Sequence, residues 1–398
     1  MGIIKSLIRK RRKKESLFKY IMALLHLWLG LLSSLIIFVV CLTGCIYAFK
    51  NQIIDFYNRD KVYVKVGENR IPLDTVQENF RDKGWVIDEF ILPENKKKSI
   101  IISYTDQNTK ISKTQYFDPY TGTQLGGANN GLDRFFAVVL DIHKTLLITK
   151  AGKQIVGVAT LVFCFLLLSG FVLWLPKKWK DLKNGLTIKW KAKFYRLNYD
   201  LHNTLGFYAL LMLFFIAVTG LYVTYPWMKS GIIVSLGGNP VLTSGATQET
   251  TQEVSNAFSD LLQQMVDKQD ELIATQETKP ISIDSVNILA NQYLKYTATT
   301  LIRLPGESDP WYRIKKINTN NWLGAQLPDE IIFDKKGEVK SIERFSDKPL
   351  HKQFVEISKP LHTGEIMGLP SVILYFLISL IGCMLPITGF IIWWKKVK

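Results

Sequence analysis

One pattern constrains this chain more than any other. His26-Leu-Trp-Leu-Gly30, followed along the same apolar run by Thr43-Gly44, occurs again as His202-Asn-Thr-Leu-Gly206 followed by Thr219-Gly220. A second pair of segments repeats as closely: His143 precedes Gly170, and His362 precedes Gly389, each by twenty-seven residues. Both glycines open a Gly-Phe-x-x-Trp stretch, ending at Trp174 and Trp393. Self-similarity on this scale marks a repeated architecture. The chain therefore reads as one helix–domain–helix unit written twice, with a histidine on every membrane-associated segment.

Apolar runs near 18–49, 155–175, 205–225 and 369–394 are each long enough to cross a bilayer, for which about 20 residues suffice as helix. A single such run could be a buried core helix. Four, flanked by lysines and tryptophans, predict an integral membrane protein. The net charge of +16 does not point to nucleic acid, because of where it sits. Eight Lys/Arg lie between Lys5 and Lys19, eight more in 177–196, and Lys395, Lys396 and Lys398 close the chain, whereas 50–145 carries fourteen basic and thirteen acidic residues. Positive-inside logic puts both termini and the middle loop in the cytoplasm. The first run is an uncleaved anchor, since it exceeds a signal h-region and lacks a small-residue cleavage site after it. Cys41, Cys45, Cys164 and Cys383 all fall in apolar runs, so no disulfide scaffold is expected and packing is their role.

The expected fold is mainly α, with four transmembrane helices built as an internal duplication and two α+β extracytoplasmic domains. In order, these are a basic cytoplasmic arm (1–16), helix one (17–50), a first outer domain (51–140), an outer-face histidine helix with helix two (141–176), a cytoplasmic loop (177–196), helix three (197–226), a larger outer domain (227–360), helix four (361–394) and a short cytoplasmic tail (395–398). Within the outer domains, 73–83 and 283–294 read as helices. Strands are expected at 86–92, 98–104, 113–117, 298–304, 311–317 and 330–333. The 243–278 segment is polar and Gln/Thr/Ser-rich. Pro386 implies a bend or protected kink in helix four.

Ionisable groups in membrane helices are functional candidates, because leaving one unpaired there is costly. Helices one and three run outward, placing His26 and His202 near the cytoplasmic side; helices two and four run inward, placing His143 and His362 near the outer side. Two His–His pairs result. The simplest alternative is that each imidazole merely bonds a carbonyl or caps a helix. Zinc would call for further Cys, Asp or Glu ligands, which the apolar runs hardly supply. Haem asks only for axial imidazoles on an apolar, flat ring. No C-x-x-C-H occurs, which excludes the usual covalent haem attachment. Gly30, Gly44, Gly170, Gly206, Gly220 and Gly389 either make room beside such a ring or serve helix packing. Trp28, Trp174 and Trp393 read as interfacial belt residues. His351 has no repeat partner and reads as an exposed surface histidine.

These motifs, together with Asp141-Ile-His143, Asp200-Leu-His202, Leu361-His362-Thr-Gly364, Thr388-Gly389 and the turn Phe117-Asp-Pro-Tyr-Thr-Gly122, resemble the PepSY-associated transmembrane (PepSY-TM) family of iron-regulated inner-membrane proteins, which includes ferric-siderophore reductases. The resemblance runs from about residue 20 to 394. It implies PepSY-like outer domains and two b-type haems, with His26, His202, His143 and His362 as axial ligands of the haem iron. It further implies a haem-dependent oxidoreductase that delivers electrons to periplasmic Fe(III)-siderophores or related chelates in iron acquisition. The chain has no dinucleotide fingerprint, so the donor is expected to be a quinol or a cytoplasmic reductase. Membrane lipids are the other expected partner, and the location is a bacterial inner membrane. Two competing readings are a siderophore, haem or metal transporter, and a non-enzymatic PepSY regulatory membrane protein.

Overall fold

The structure is a computed structural model, and it describes residues 11, 15–127, 130–176, 178–240, 280–306 and 309–397. Most of the expected basic arm and the polar 243–278 segment lie outside the described residues. The chain divides into a helical unit (1–57, 129–225, 357–398) and a sheet unit (58–128, 226–356).

Among the described residues, four helices are long and apolar enough to cross a membrane. The first, α1 (Leu17–Ala48), begins where the Ser16 hydroxyl accepts from the Lys19 backbone N–H, satisfying one of the orphan donors of a helix start. Next comes α2 (Asn130–Thr145), which carries His143 and leads into the second span, α3 (Thr149–Trp174). The third span is α4 (Phe194–Asp200), a π-turn at Leu201–Leu205, and α5 (Gly206–Thr224). The last pair is α6 (Leu350–Thr363), ending just past His362, and the fourth span α7 (Leu369–Val397). Leu167, Ala209, Leu213 and Ile378 pack at the centre of the bundle.

Two boundaries differ from expectation. The first outer segment ends near residue 128, so the His143 helix starts well before 141 and belongs to the helical unit. His362 does not open the fourth span. It sits on the separate helix α6, cut from α7 by Gly364 (φ 84°) and Gly368 (φ 66°), a left-handed conformation that costs a side-chain-bearing residue about 1–2 kcal/mol. The Ser371 hydroxyl bridges the break by donating toward the carbonyls of Gly364 (2.5 Å) and Gly368 (3.0 Å). Pro386 is accommodated within a continuous α7.

The sheet unit corrects the expectation of two separate outer domains. Its strands are β1 (Trp85–Leu92), β2 (Ile100–Asp106), β3 (Ser112–Phe117), β4 (Gln124–Gly126), β5 (Thr299–Arg303), β6 (Tyr312–Asn318), β7 (Leu327–Phe333) and β8 (Val339–Glu343). They form one antiparallel sheet of order β4-β3-β2-β1-β5-β6-β7-β8. The two halves meet where β1 pairs with β5, Phe90 opposite Ile302 and Ile91 opposite Leu301. Each half brings one helix, Leu73–Arg81 or Ile283–Tyr293, and a shared core fills the space between. Phe80, Phe90, Ile302, Ile314, Ile331 and Phe333 are fully buried in it.

The two helix starts hold each other. Asp74 accepts from the backbone N–H groups of Ile283 (2.9 Å) and Asp284 (3.2 Å), and the Asp74 N–H donates to Asp284 Oδ2 (3.4 Å). Helix N-termini favour carboxylates, but two side by side repel. Burial first, then the proximity of Asp74, pushes the Asp284 carboxyl above its ordinary value. A carboxyl raised on folding contributes stability that is complete below the unfolded value and lost as pH rises through the folded one. Asp284→Asn is therefore expected to abolish the part of the melting-temperature decline seen as the wild-type chain is taken from pH 4 toward neutrality. An unchanged pH profile would exclude that assignment.

Candidate functional site

The four repeat-related histidines form two couples within the helical unit. His26 on α1 faces His202 on the π-turn, with ring centroids 6.4 Å apart and planes at 89°. His143 on α2 faces His362 on α6, with centroids 6.2 Å apart and planes at 52°. The couples occupy different levels. His26 lies seventeen residues before Thr43 on α1, against which the second couple packs, or roughly 26 Å of helix at 1.5 Å per residue.

Each ring sits in the same cradle, built from one helical turn of a neighbouring span. His26 Nδ1 lies 2.9 Å from Ser169 Oγ, His143 Nδ1 3.1 Å from Thr43 Oγ1, His202 Nδ1 2.8 Å from Thr388 Oγ1, and His362 Nδ1 3.1 Å from Thr219 Oγ1. Three residues before each hydroxyl stands a carbonyl that also meets the ring. Val40 O is 3.0 Å from His143 Nδ1 and Ile216 O 3.1 Å from His362 Nδ1, with Leu166 and Leu385 in the same role for His26 and His202. One residue after each hydroxyl comes a glycine. A Cβ added there would stand 3.3 Å from His26 Cε1 (Gly170), 3.5 Å from His143 Cε1 (Gly44), 3.2 Å from His202 Cε1 (Gly389) and 2.9 Å from His362 Cε1 (Gly220).

The cradle fixes the tautomer. Each hydroxyl donates back to a carbonyl of its own helix, so toward the ring it acts as acceptor, and a carbonyl can only accept. Nδ1 therefore carries the proton and Nε2 the lone pair, the arrangement that outer-shell partners impose on metal-bound histidines. Burial holds His143 and His362 below the ordinary imidazole value, His362 at about 4 with His143 as a further cause, so both stay neutral at physiological pH. Such a couple can grip one metal ion from opposite sides. With about 2 Å from metal to each nitrogen and about 1.1 Å from nitrogen to ring centre, the centroids would stand roughly 6.2 Å apart with both nitrogens turned to the ion. Both couples match that span. Among the described residues, no group of three or more His, Cys, Asp or Glu is placed to hold a metal ion, so the remaining ligands would have to come from elsewhere.

A cavity of about 480 Å³ surrounds the His26–His202 couple, within the range of small-molecule and cofactor sites. Gly30 and Gly206 line it, and added Cβ atoms there would find only Leu166 at 3.8 Å and Leu385 at 3.4 Å. The repeated glycines thus serve two tasks: Gly44, Gly170, Gly220 and Gly389 seat imidazoles, and Gly30 and Gly206, together with Gly170 and Gly389, border the cavity. Trp174 and Trp393 are cavity walls rather than belt residues facing lipid alone. Trp174 stacks on Phe207 at 3.7 Å and donates from Nε1 to Gly185 O at 3.1 Å. Trp28 is 47% exposed. His351 is half-buried and packs on Gly238 in the sheet unit, so it is not the exposed residue expected.

The Thr-Gly pairs at 43, 219 and 388 stand out in the sequence, but their bond to an imidazole on another helix does not, nor does the equivalence of Ser169-Gly170 to them. The π-turn at His202 left no trace in the apolar pattern.

The chain matches the profile of the PepSY-associated TM region over residues 23–396. It belongs to the PepSY-TM family. A search of curated proteins finds no match. Family membership and the four apolar helices make the chain a multi-pass membrane protein, and in this member the repeated histidines, hydroxyls and glycines of both halves converge on two imidazole couples.

Proposed function

We propose that this PepSY-TM protein is a di-haem, b-type electron-transfer protein of a bacterial inner membrane that reduces periplasmic ferric siderophores or related Fe(III) chelates. The observation carrying this reading is the fourfold cradle, with Nδ1 tied down and Nε2 left over, and ring centroids at a separation at which the two imidazoles of a couple could hold one iron between them. Haem bound by His26 with His202, and by His143 with His362, would supply a one-electron iron couple at each level of the bundle.

The protein's own residues do the rest. Ser169, Thr43, Thr388 and Thr219 orient the rings and, with the carbonyls behind them, raise the basicity of Nε2. The glycines let each imidazole lie against a neighbouring helix. Apolar side chains around the couples exclude water. The basic clusters set both termini on the cytoplasmic side, where a quinol or a soluble reductase supplies electrons. Reduction at the far side releases iron because hard oxygen ligands hold Fe(III) better than Fe(II).

Full-length protein purified from haem-replete cells is expected to show a Soret band, six-coordinate low-spin spectra and reduction by dithionite. A colourless preparation would overturn the reading. Thr388→Val keeps the side-chain shape and removes the hydroxyl beside His202. It is expected to weaken haem retention at that couple by about 10–100-fold, read as haem loss during competition with apomyoglobin.

A further inference from the structure

The sheet unit contains a second cavity, of about 580 Å³. It opens where the chain leaves helix Ile283–Tyr293, beside the ends of β6 and β8 and the start of β7. Its walls include Lys295, Tyr296, Asn318, Asn320, Asp329 and Arg344.

The floor is fixed by hydrogen bonds to its one carboxylate. Asp329 accepts from the Tyr296 hydroxyl (2.6 Å), the Phe345 N–H (2.7 Å) and Asn318 Nδ2 (3.4 Å). Burial and the Asp329 carboxylate push the Tyr296 phenol up, so it remains a donor. Behind it Lys316, 1% exposed, donates to Asn291 Oδ1 (2.8 Å) and to the carbonyls of Leu294 (2.7 Å) and Tyr296. It thereby neutralises the negative end of the helix. The rim has the opposite character. Lys295 and Arg344 are exposed, and neither makes an ion pair among the described residues. Lys295 and Arg344 thus stand at the rim over a single carboxylate whose charge Lys316, behind the floor, already offsets. The rim is therefore positive, and the half-exposed ring of Tyr293 gives the cavity one flat apolar wall.

We propose that this cavity binds a small, oxygen-rich anion, and that within the electron-transfer reading, on which this clause rests, the ligand is an anionic ferric chelate of the tris-catecholate class rather than a neutral tris-hydroxamate. Arginine and lysine recognise clustered anionic oxygens through charge-assisted hydrogen bonds, and an unclaimed cation at the rim gains a partner only when the ligand is charged.

The test uses gallium(III), which forms the same complexes as Fe(III) but is not reduced, so binding is read independently of any electron transfer. Gallium tris(2,3-dihydroxybenzoate) and the neutral gallium tris(acetohydroxamate) are titrated calorimetrically into the full chain in detergent. The catecholate complex is expected to bind at least about tenfold more tightly. Lys295→Gln/Arg344→Gln is expected to weaken catecholate binding by about 10–100-fold while leaving the melting temperature unchanged. Equal affinity for the two complexes, no binding of the catecholate, or an unaltered affinity in the double variant would each overturn the proposal. A protein without haem that still prefers the gallium catecholate supports this cavity and sinks only the electron-transfer reading.

Discussion

On the di-haem reading proposed above, the His202→Ala protein is expected to lose one haem and keep the other. The same result is expected from His26→Ala, because either substitution leaves a single imidazole where two are needed. The double variant His26→Ala/His202→Ala should lose no more than each single one, the non-additivity expected of residues that act as a unit. His143→Ala and His362→Ala should empty the other couple in the same way, with the His26–His202 signal intact. The measurement is haem per chain by pyridine haemochrome, with redox titration to show which couple survives. Haem content unchanged in all four single variants would remove the pairing. The Cε1 contacts add a steric version of the same expectation: Gly220→Val should mimic His362→Ala, since its Cβ alone would stand 2.9 Å from the ring.

The second large effect lies in the sheet unit. Asp329 is 5% exposed and Lys316 1% exposed, and the carboxylate is the anion that offsets the buried ammonium. Asp329→Ala orphans the Tyr296 hydroxyl and the Phe345 N–H and leaves the ammonium uncompensated. Leaving a buried charge uncompensated in this way costs up to about 3–5 kcal/mol. For a unit of this size that corresponds to a melting temperature lower by roughly 10 °C, followed by the circular-dichroism signal of the sheet. Asp329→Asn, which retains an acceptor, should lose less. Lys316→Met/Asp329→Ala should be more stable than Asp329→Ala alone. If it is less stable, the buried charge is not the cause.

The spans and the histidine couples could be read from the chain because both rest on local pattern. Apolar length reports crossing, and chain direction tells which histidines share a level. The fused sheet could not be read that way. Alternation such as that of Ile100, Ile102 and Tyr104 identifies a strand and its buried face but not its partner, and β1 and β5 are separated by two spans. The strand β4 has three residues, too few for a period. β8 runs along the sheet edge with no buried position, so it carries no apolar alternation. The Tyr296–Asp329–Phe345 cluster joins residues 33 and 16 positions apart, and none is unusual until the fold brings them together. The Ser/Thr-Gly cradles lie between these cases: the dipeptides repeat visibly, but their bond to a ring on another helix is a matter of packing.

The β1–β5 seam also sets a schedule for biogenesis. β5 begins 207 residues after β1 ends (299 − 92), so at 5–20 residues per second the ribosome needs roughly 10–40 s to deliver the missing neighbour. Through that interval Phe90 and Ile91 sit on an unsatisfied strand margin, the kind of template that recruits foreign chains. Nascent protein stalled between the second and third spans should therefore be the aggregation-prone species, and a chaperone that shields open strand margins would find its client there.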